Sequence, residues 1–326
     1  MSKLTRILAL VLTAALLAGL CAGCASPETP ETTTSTQATT SQKAVEALNG
    51  KKIIFIGNSY TFHGYCLRFI KEAVLTQAER TGDRGYFYQL CKRNGAEVNI
   101  TNWCFGGHNL SDIFYEPCTL NKDCKGTEHK NYLTDTYFDY VVLQPTVEKS
   151  YAGDLAAYLK PVMDLFREAN PDVKFILHVP HMACEKEYAW VADVDQAKAL
   201  GITVCNWGQM CHDIVQGKTQ VPGATQSYGR PTFVVSASES DGYHQNLLVG
   251  YLTALMIYSA ITGDSPVGQP YDFCDDSTID PQFNLEDFKN RKYVYEPYTN
   301  FIEVFRSEPD MLGLQQLVDQ YLKQYN

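Results

Sequence analysis

The sequence predicts an α/β fold: a three-layer α/β/α sandwich around a five-stranded parallel sheet, flavodoxin-like in layout. Three observations predict it. Short runs rich in Ile, Val and Phe alternate with longer stretches of helical periodicity. The runs are apolar throughout, as strands covered on both faces must be. Most stop at Gly or Pro, and strand-then-helix alternation requires crossover connections and a parallel sheet.

The elements follow in order. Lys52-Ile53-Ile54-Phe55-Ile56, ending at Gly57, reads as a buried first strand. From Gly64 to Arg80, Cys66, Phe69, Ile70, Ala73 and Val74 recur at helical spacing. Val98 to Trp103 is the second strand, before Gly106-Gly107. The stretch from Asp112 to Asp139 is too long for an ordinary connection and is expected to be a loop near the site. Tyr140 to Leu143 is the third strand, stopped by Pro145; a helix follows with Leu155, Leu159, Val162 and Phe166 on one face. Lys174 to Val179 is the fourth strand, stopped by Pro180. Trp190 to Leu200 reads as a helix, and Ile202 to Val204 as a short extended piece before another. Thr232-Phe233-Val234-Val235 is expected to be the fifth strand. Leu247 to Ile261, closed by Gly263, is an apolar core helix, too short to span a membrane. Met311 to Tyr325 is expected to be a surface helix, packed on the domain or forming a small appendage.

The N-terminus has a different character. Lys3 and Arg6 precede an apolar run, Ile7 through Leu20, of a length that suits a signal peptide and not a membrane span. Ala22-Gly23-Cys24 resembles a bacterial lipobox, although Cys21 stands where that pattern has Leu. The expectation is a signal peptide over 1–23 and a lipid on Cys24; the alternative is an ordinary cleaved signal. Residues 24–43, rich in Thr, Ser and Pro, cannot bury enough apolar surface to offset their ordering entropy and read as a disordered tether. The folded domain is expected over 44–326, exported and anchored at the outer face of the cell membrane.

The net charge of −10 excludes a phosphate-backbone binder, so no nucleic-acid partner is expected. Of the eleven cysteines, Cys21 lies in the signal segment and Cys24 is the expected lipid site, and nine, an odd number, remain. Export permits disulfides, and Cys118/Cys124 and Cys205/Cys211 are close enough to close small loops; buried thiols are the plain alternative. Among those remaining cysteines no C-x-x-C pair occurs, which argues against zinc.

In open parallel sheets, ligands bind beyond the C-terminal strand ends. The polar residues expected there are Ser59, Asn109, Gln144, His178, His181, Asp241 and His244. A serine hydroxyl needs a base within hydrogen-bond reach, and the base needs an orienting partner. Asp241-Gly242-Tyr243-His244 can supply both: a turn brings the carboxylate to Nδ1 and leaves Nε2 for Ser59. Gly57 would allow a sharp turn out of the strand, and the dipole of a helix after Ser59 would favour developing negative charge. The plain alternative for Ser59 is a helix N-cap. His63 is expected to point away, as a substrate contact or surface residue. His178 and His181 are expected to be structural or to wall the site.

Ile56-Gly57-Asn58-Ser59 resembles the first block of the SGNH (GDSL-type) hydrolases, Asn102 through Gly107 their second, and Asp241-x-x-His244 their last. The resemblance spans roughly Lys51 to Gly263. It implies Ser59 as nucleophile, His244 and Asp241 as base and acid, and the backbone N–H groups of Ser59 and Gly107 as oxyanion donors, with Gly106 the alternative to Gly107. Asn58 replaces an Asp, and Val142-Leu143-Gln144-Pro145 replaces the family's Gly-x-Asn-Asp. Gln144 is therefore expected to stand in as the missing amide donor, a contribution of about 2.7–4 kcal/mol to the transition state where such a donor acts.

The resemblance implies an esterase for small-acyl, acetyl-like esters that needs neither metal nor organic cofactor. An exported position suggests acylated glycans as substrates. The alternatives are a catalytically silent glycan-binding lipoprotein, a lysophospholipase or thioesterase with the same triad, and acyl transfer to a sugar.

Overall fold

The computed structural model describes residues 40–68, 80–107, 110, 136–145, 155–180, 191–234, 244–274 and 301–326. The signal segment, Cys24, His181, Asp241 and the Cys118/Cys124 pair lie outside them, as does all of the tether but 40–43. In chain order the elements are α1 (Gln42–Leu48), β1 (Lys52–Gly57), α2 (Ser59–Phe62), α3 (Tyr86–Arg93), β2 (Asn99–Cys104), β3 (Tyr140–Leu143), α4 (Leu155–Ala169) and β4 (Lys174–His178). Then come α5 (Val191–Ala199), β5 (Thr203–Cys205), α6 (Trp207–Val215), α7 (Arg230–Phe233), α8 (Leu247–Thr262), α9 (Phe301–Arg306) and α10 (Glu308–Tyr325).

The five strands form one parallel sheet in the order β2-β1-β3-β4-β5. The chain therefore reverses its direction of travel at β1 and β3, the crevice where open α/β sheets bind ligands. Strand alternation builds two cores. Ile53, Phe55, Val142 and Ile176 face α1, α3, α6, α8 and α10. Ile54, Ile56, Val141, Leu143 and Leu177 face α4 and α5. Two helical layers thus cover one sheet, as the apolar runs predict.

Three expectations need correction. The fifth strand is Thr203–Cys205, paired with β4, and Arg230–Phe233 is a one-turn helix. Pro231 in its first turn, behind Gly229, presets helical φ; Val234 adds only an isolated bridge to Gln245. The helical segment expected from Gly64 does not start there, because Gly64 and Tyr65 are left-handed, with φ of 73° and 67°; residues 69–79 of it lie outside the described residues. Folded structure begins before Ala44, because Ser41 caps α1 through a bond from Ala44 N–H.

α8 is apolar on every side and buried nearly throughout, as expected of a core helix. No helix among the described residues is long and apolar enough to cross a membrane. α10 is no surface appendage. It buries Met311, Leu314, Leu317, Val318 and Tyr321 in the larger core, at about 1.5–3 kcal/mol for each large apolar side chain. Cys205 is a free, buried thiol, so no Cys205–Cys211 disulfide forms.

Candidate active site

β1 delivers the chain to the sheet edge at Gly57. A Cβ there would lie 2.8 Å from the Gln144 side chain and 2.8 Å from Thr61 Oγ1. Gly57 is not among the left-handed glycines, so close approach and not a sharp turn requires glycine here. Asn58 then caps α2: its Oδ1 accepts from Tyr60 N–H at 3.1 Å. Asparagine supplies here the same acceptor that an aspartate would. Ser59 is the first helical residue, not the cap. α2 has only one turn, so its N–H groups act locally and a long helix dipole is not available.

His244 reaches Ser59 across 185 residues of sequence because its neighbours bind the Ser59 segment. Gln245 Nε2 donates to His63 O at 2.9 Å and also to Tyr60 O. Asn246 caps α8 through Val249 N–H, and its Nδ2 donates to Thr232 O at 2.7 Å. The start of α8 lies directly on the turn after α2: a Cβ on Gly250 would sit 1.6 Å from Gly64 O, and one on Gly64 2.2 Å from Asn246 O. Two glycines thus let two backbones touch.

The result is a bond of 2.8 Å between Ser59 Oγ and His244 Nε2, both half-buried. A hydroxyl at this distance can pass its proton to the imidazole as it attacks. Activation of a serine requires a pairing of this kind.

Comparison with family models and with curated proteins returns no match. Solved structures with similar folds include a DUF4886 family protein from Bacteroides uniformis (16% identity, 84% of this chain and 95% of that one, TM-score 0.49). Others are a candidate SGNH hydrolase from Slackia heliotrinireducens (15% identity, 66% and 100%, TM-score 0.42) and an acetylxylan esterase from Geobacillus stearothermophilus (14% identity, 66% and 96%, TM-score 0.40). Identities this low say nothing of activity; the chemistry of the site rests on its own geometry.

The His244 ring is held on its faces. His63 stacks on it with centroids 4.0 Å apart and planes within 17°, and Tyr60 lies 5.3 Å away. His63 therefore does not point away, contrary to expectation. The α-helix ends at Phe62 and a 3-10 turn begins at His63, so helical spacing from Ser59 does not set the direction of its ring.

Gly107 follows β2 in the left-handed region with φ of 73°. Gly106 borders Phe62, and Phe105 N–H donates to Gly57 O at 2.9 Å, tying the end of β2 to the end of β1. Asn102 is fully buried; its Nδ2 donates to Arg68 O and to Asp83, whose carboxyl burial pushes above the usual range. It is a scaffold residue.

Gln144 extends β3 by donating its N–H to Ile56 O. Its side-chain carbonyl accepts from Asn58 N–H at 2.9 Å and from Thr61 Oγ1 at 3.0 Å, and its Nε2 donates to Pro145 O at 2.8 Å. One amide hydrogen is thus committed to the scaffold, and the carbonyl holds the peptide that leads into Ser59. His178 lies beneath, fully buried, a structural position as expected. Among the described residues no three His, Cys, Asp or Glu side chains converge as metal ligands.

Proposed function

We propose that this chain is a serine ester hydrolase acting on small-acyl esters, with acylated carbohydrates outside the cytoplasm as the substrate class. The 2.8 Å Ser59–His244 bond carries the reading. Ser59 Oγ attacks the ester carbonyl while His244 Nε2 takes its proton. The backbone N–H groups of Ser59 and Gly107 receive the developing oxyanion. His244 returns the proton to the leaving alcohol, then activates water to free the acid from Ser59. Asp241, three residues before His244, orients the ring through Nδ1. A direct oxyanion bond from Gln144 would use the second hydrogen of Nε2, the first being given to Pro145 O.

The test is hydrolysis of p-nitrophenyl acetate together with labelling by a fluorophosphonate probe. Wild type should turn over and label at Ser59. Ser59→Ala and His244→Ala should each lose about 10³-fold or more in kcat, and Ser59→Ala should not label. Alanine variants that keep full activity would overturn the pair; a wild type that neither labels nor turns over would favour a silent glycan-binding protein.

A further inference from the structure

We propose that a buried hydrogen-bond relay, Trp207–His178–Thr61–Gln144, fixes the backbone turn that carries Ser59, with His178 held as its Nε2–H tautomer. The role assigned to Ser59 rests on the esterase reading; the relay rests on donor and acceptor chemistry alone.

Each link admits one direction. The indole N–H of Trp207 can only donate, and it reaches His178 Nδ1 at 3.2 Å. Nδ1 is therefore the bare nitrogen, and in a neutral ring the proton sits on Nε2. Nε2 lies 3.0 Å from Thr61 Oγ1, to which it donates. The single hydroxyl hydrogen of Thr61 then goes to Gln144 Oε1 at 3.0 Å. That oxygen also accepts Asn58 N–H at 2.9 Å, and the amide ends on Pro145 O. The relay cannot run backwards, because nothing on Trp207 accepts.

Burial supports this. Trp207, His178, Thr61, Gln144 and Asn58 are all at most 2% exposed. The ring is kept neutral: burial alone lowers the His178 pKa to about 3. The chain of bonds joins α6, β4, α2 and the end of β3 to the residue before Ser59. It also accounts for Gln144 where the family block has Asn. The longer side chain passes over the Cα of Gly57, where no Cβ fits, and puts its carbonyl on the Asn58 N–H. His178 and Thr61 are accordingly positioning residues, separate from the reacting groups.

The experiment uses the full chain and two readouts. Histidine-15N spectra at pH 7, recorded on wild type and on Ser59→Ala, need no turnover. An Nε2–H tautomer for His178 supports the relay; an Nδ1–H tautomer overturns it. Kinetics on p-nitrophenyl acetate then compare Thr61→Val, which keeps shape and cuts both links, with Thr61→Ser, which keeps the hydroxyl. The expected result is a fall of about 10–100-fold in kcat for Thr61→Val with KM within about 2-fold, and near wild-type kcat for Thr61→Ser. Should Thr61→Val fail to fold, His178→Gln, which retains a donor toward Thr61, should outperform His178→Leu in kcat. Equal kcat across either pair overturns the positioning role. A wild type that neither hydrolyses ester nor takes a fluorophosphonate label would sink the esterase reading, while the tautomer would still decide the relay.

Discussion

Ser59 owes its availability to the residue before it. Asn58 caps α2, so the Ser59 hydroxyl is not spent on the helix end and can pair with His244. His244 in turn depends on its faces as well as its nitrogens. The His63 ring stacks on it at 4.0 Å, and such a pair contributes about 0.5–1.5 kcal/mol beyond burial. Loss of that contact frees the imidazole to rotate away from Ser59. His63→Ala should therefore lower kcat/KM for p-nitrophenyl acetate by about 2–10-fold. His63→Phe keeps a stacked face and should stay within about 2-fold of wild type. Equal losses in the two variants would show that the imidazole of His63 matters for its polar atoms and that stacking is not its role.

At the scale of elements, the site is a contact between the turn after α2 and the N-terminus of α8, closed by Gly64 and Gly250. A methyl group on residue 250 meets the Gly64 carbonyl at 1.6 Å. An ordinary contact needs those backbones about 2 Å further apart. Gly250→Ala should cost about 1–3 kcal/mol in urea denaturation and, because His244 moves with α8, about 100-fold in kcat. Loss of stability with unchanged kcat would mean that His244 is positioned independently of α8. Much of this architecture was legible beforehand. β1, β3 and β4 announce themselves as apolar β-branched runs before Gly or Pro, and α8 as an unbroken apolar stretch. β5 is three residues long and begins with Thr203, so the sequence shows only a short extended piece over Ile202 to Val204 and not a strand of the sheet. Thr232-Phe233-Val234 has strand composition, yet Pro231 and Gly229 set a helical turn that composition cannot override. Ser59 and His244 could be found because their chemistry constrains local motifs. The His63 stack, the Gly64–Gly250 contact and the hydrogen bonds of Gln144 could not, because each is a meeting of residues distant in sequence or a detail of a broken helix.

Taken as a whole, the molecule covers its sheet on both faces and also guards an edge. β5 has a strand neighbour on one side, and on the other the Asn326 side chain accepts from Val204 N–H and donates to Val204 O, both at 2.8 Å. One amide thus stands in for a sixth strand. Such a closed interior makes His178 a determinant of stability as well as of geometry. Unfolded, its imidazole titrates near its ordinary value of about 6.5; folded, burial holds it at about 3. Between those values the unfolded chain binds a proton that the native chain refuses, so stability falls as pH drops through that window. The slope from this one group approaches about 1.4 kcal/mol per pH unit. Asp83, whose carboxyl burial raises, works in the opposite sense: the stability it gives is lost as pH rises through its folded value. A comparison with His178→Gln leaves Asp83 unchanged and isolates the histidine. In urea denaturation at pH 7, 5 and 4, wild type should lead the variant most at pH 7, and the gap should shrink by about 3 kcal/mol by pH 4. Curves that stay parallel across that range would mean that His178 does not enter the native state as a neutral ring, and the direction of the whole relay from Trp207 to Gln144 would have to be reconsidered.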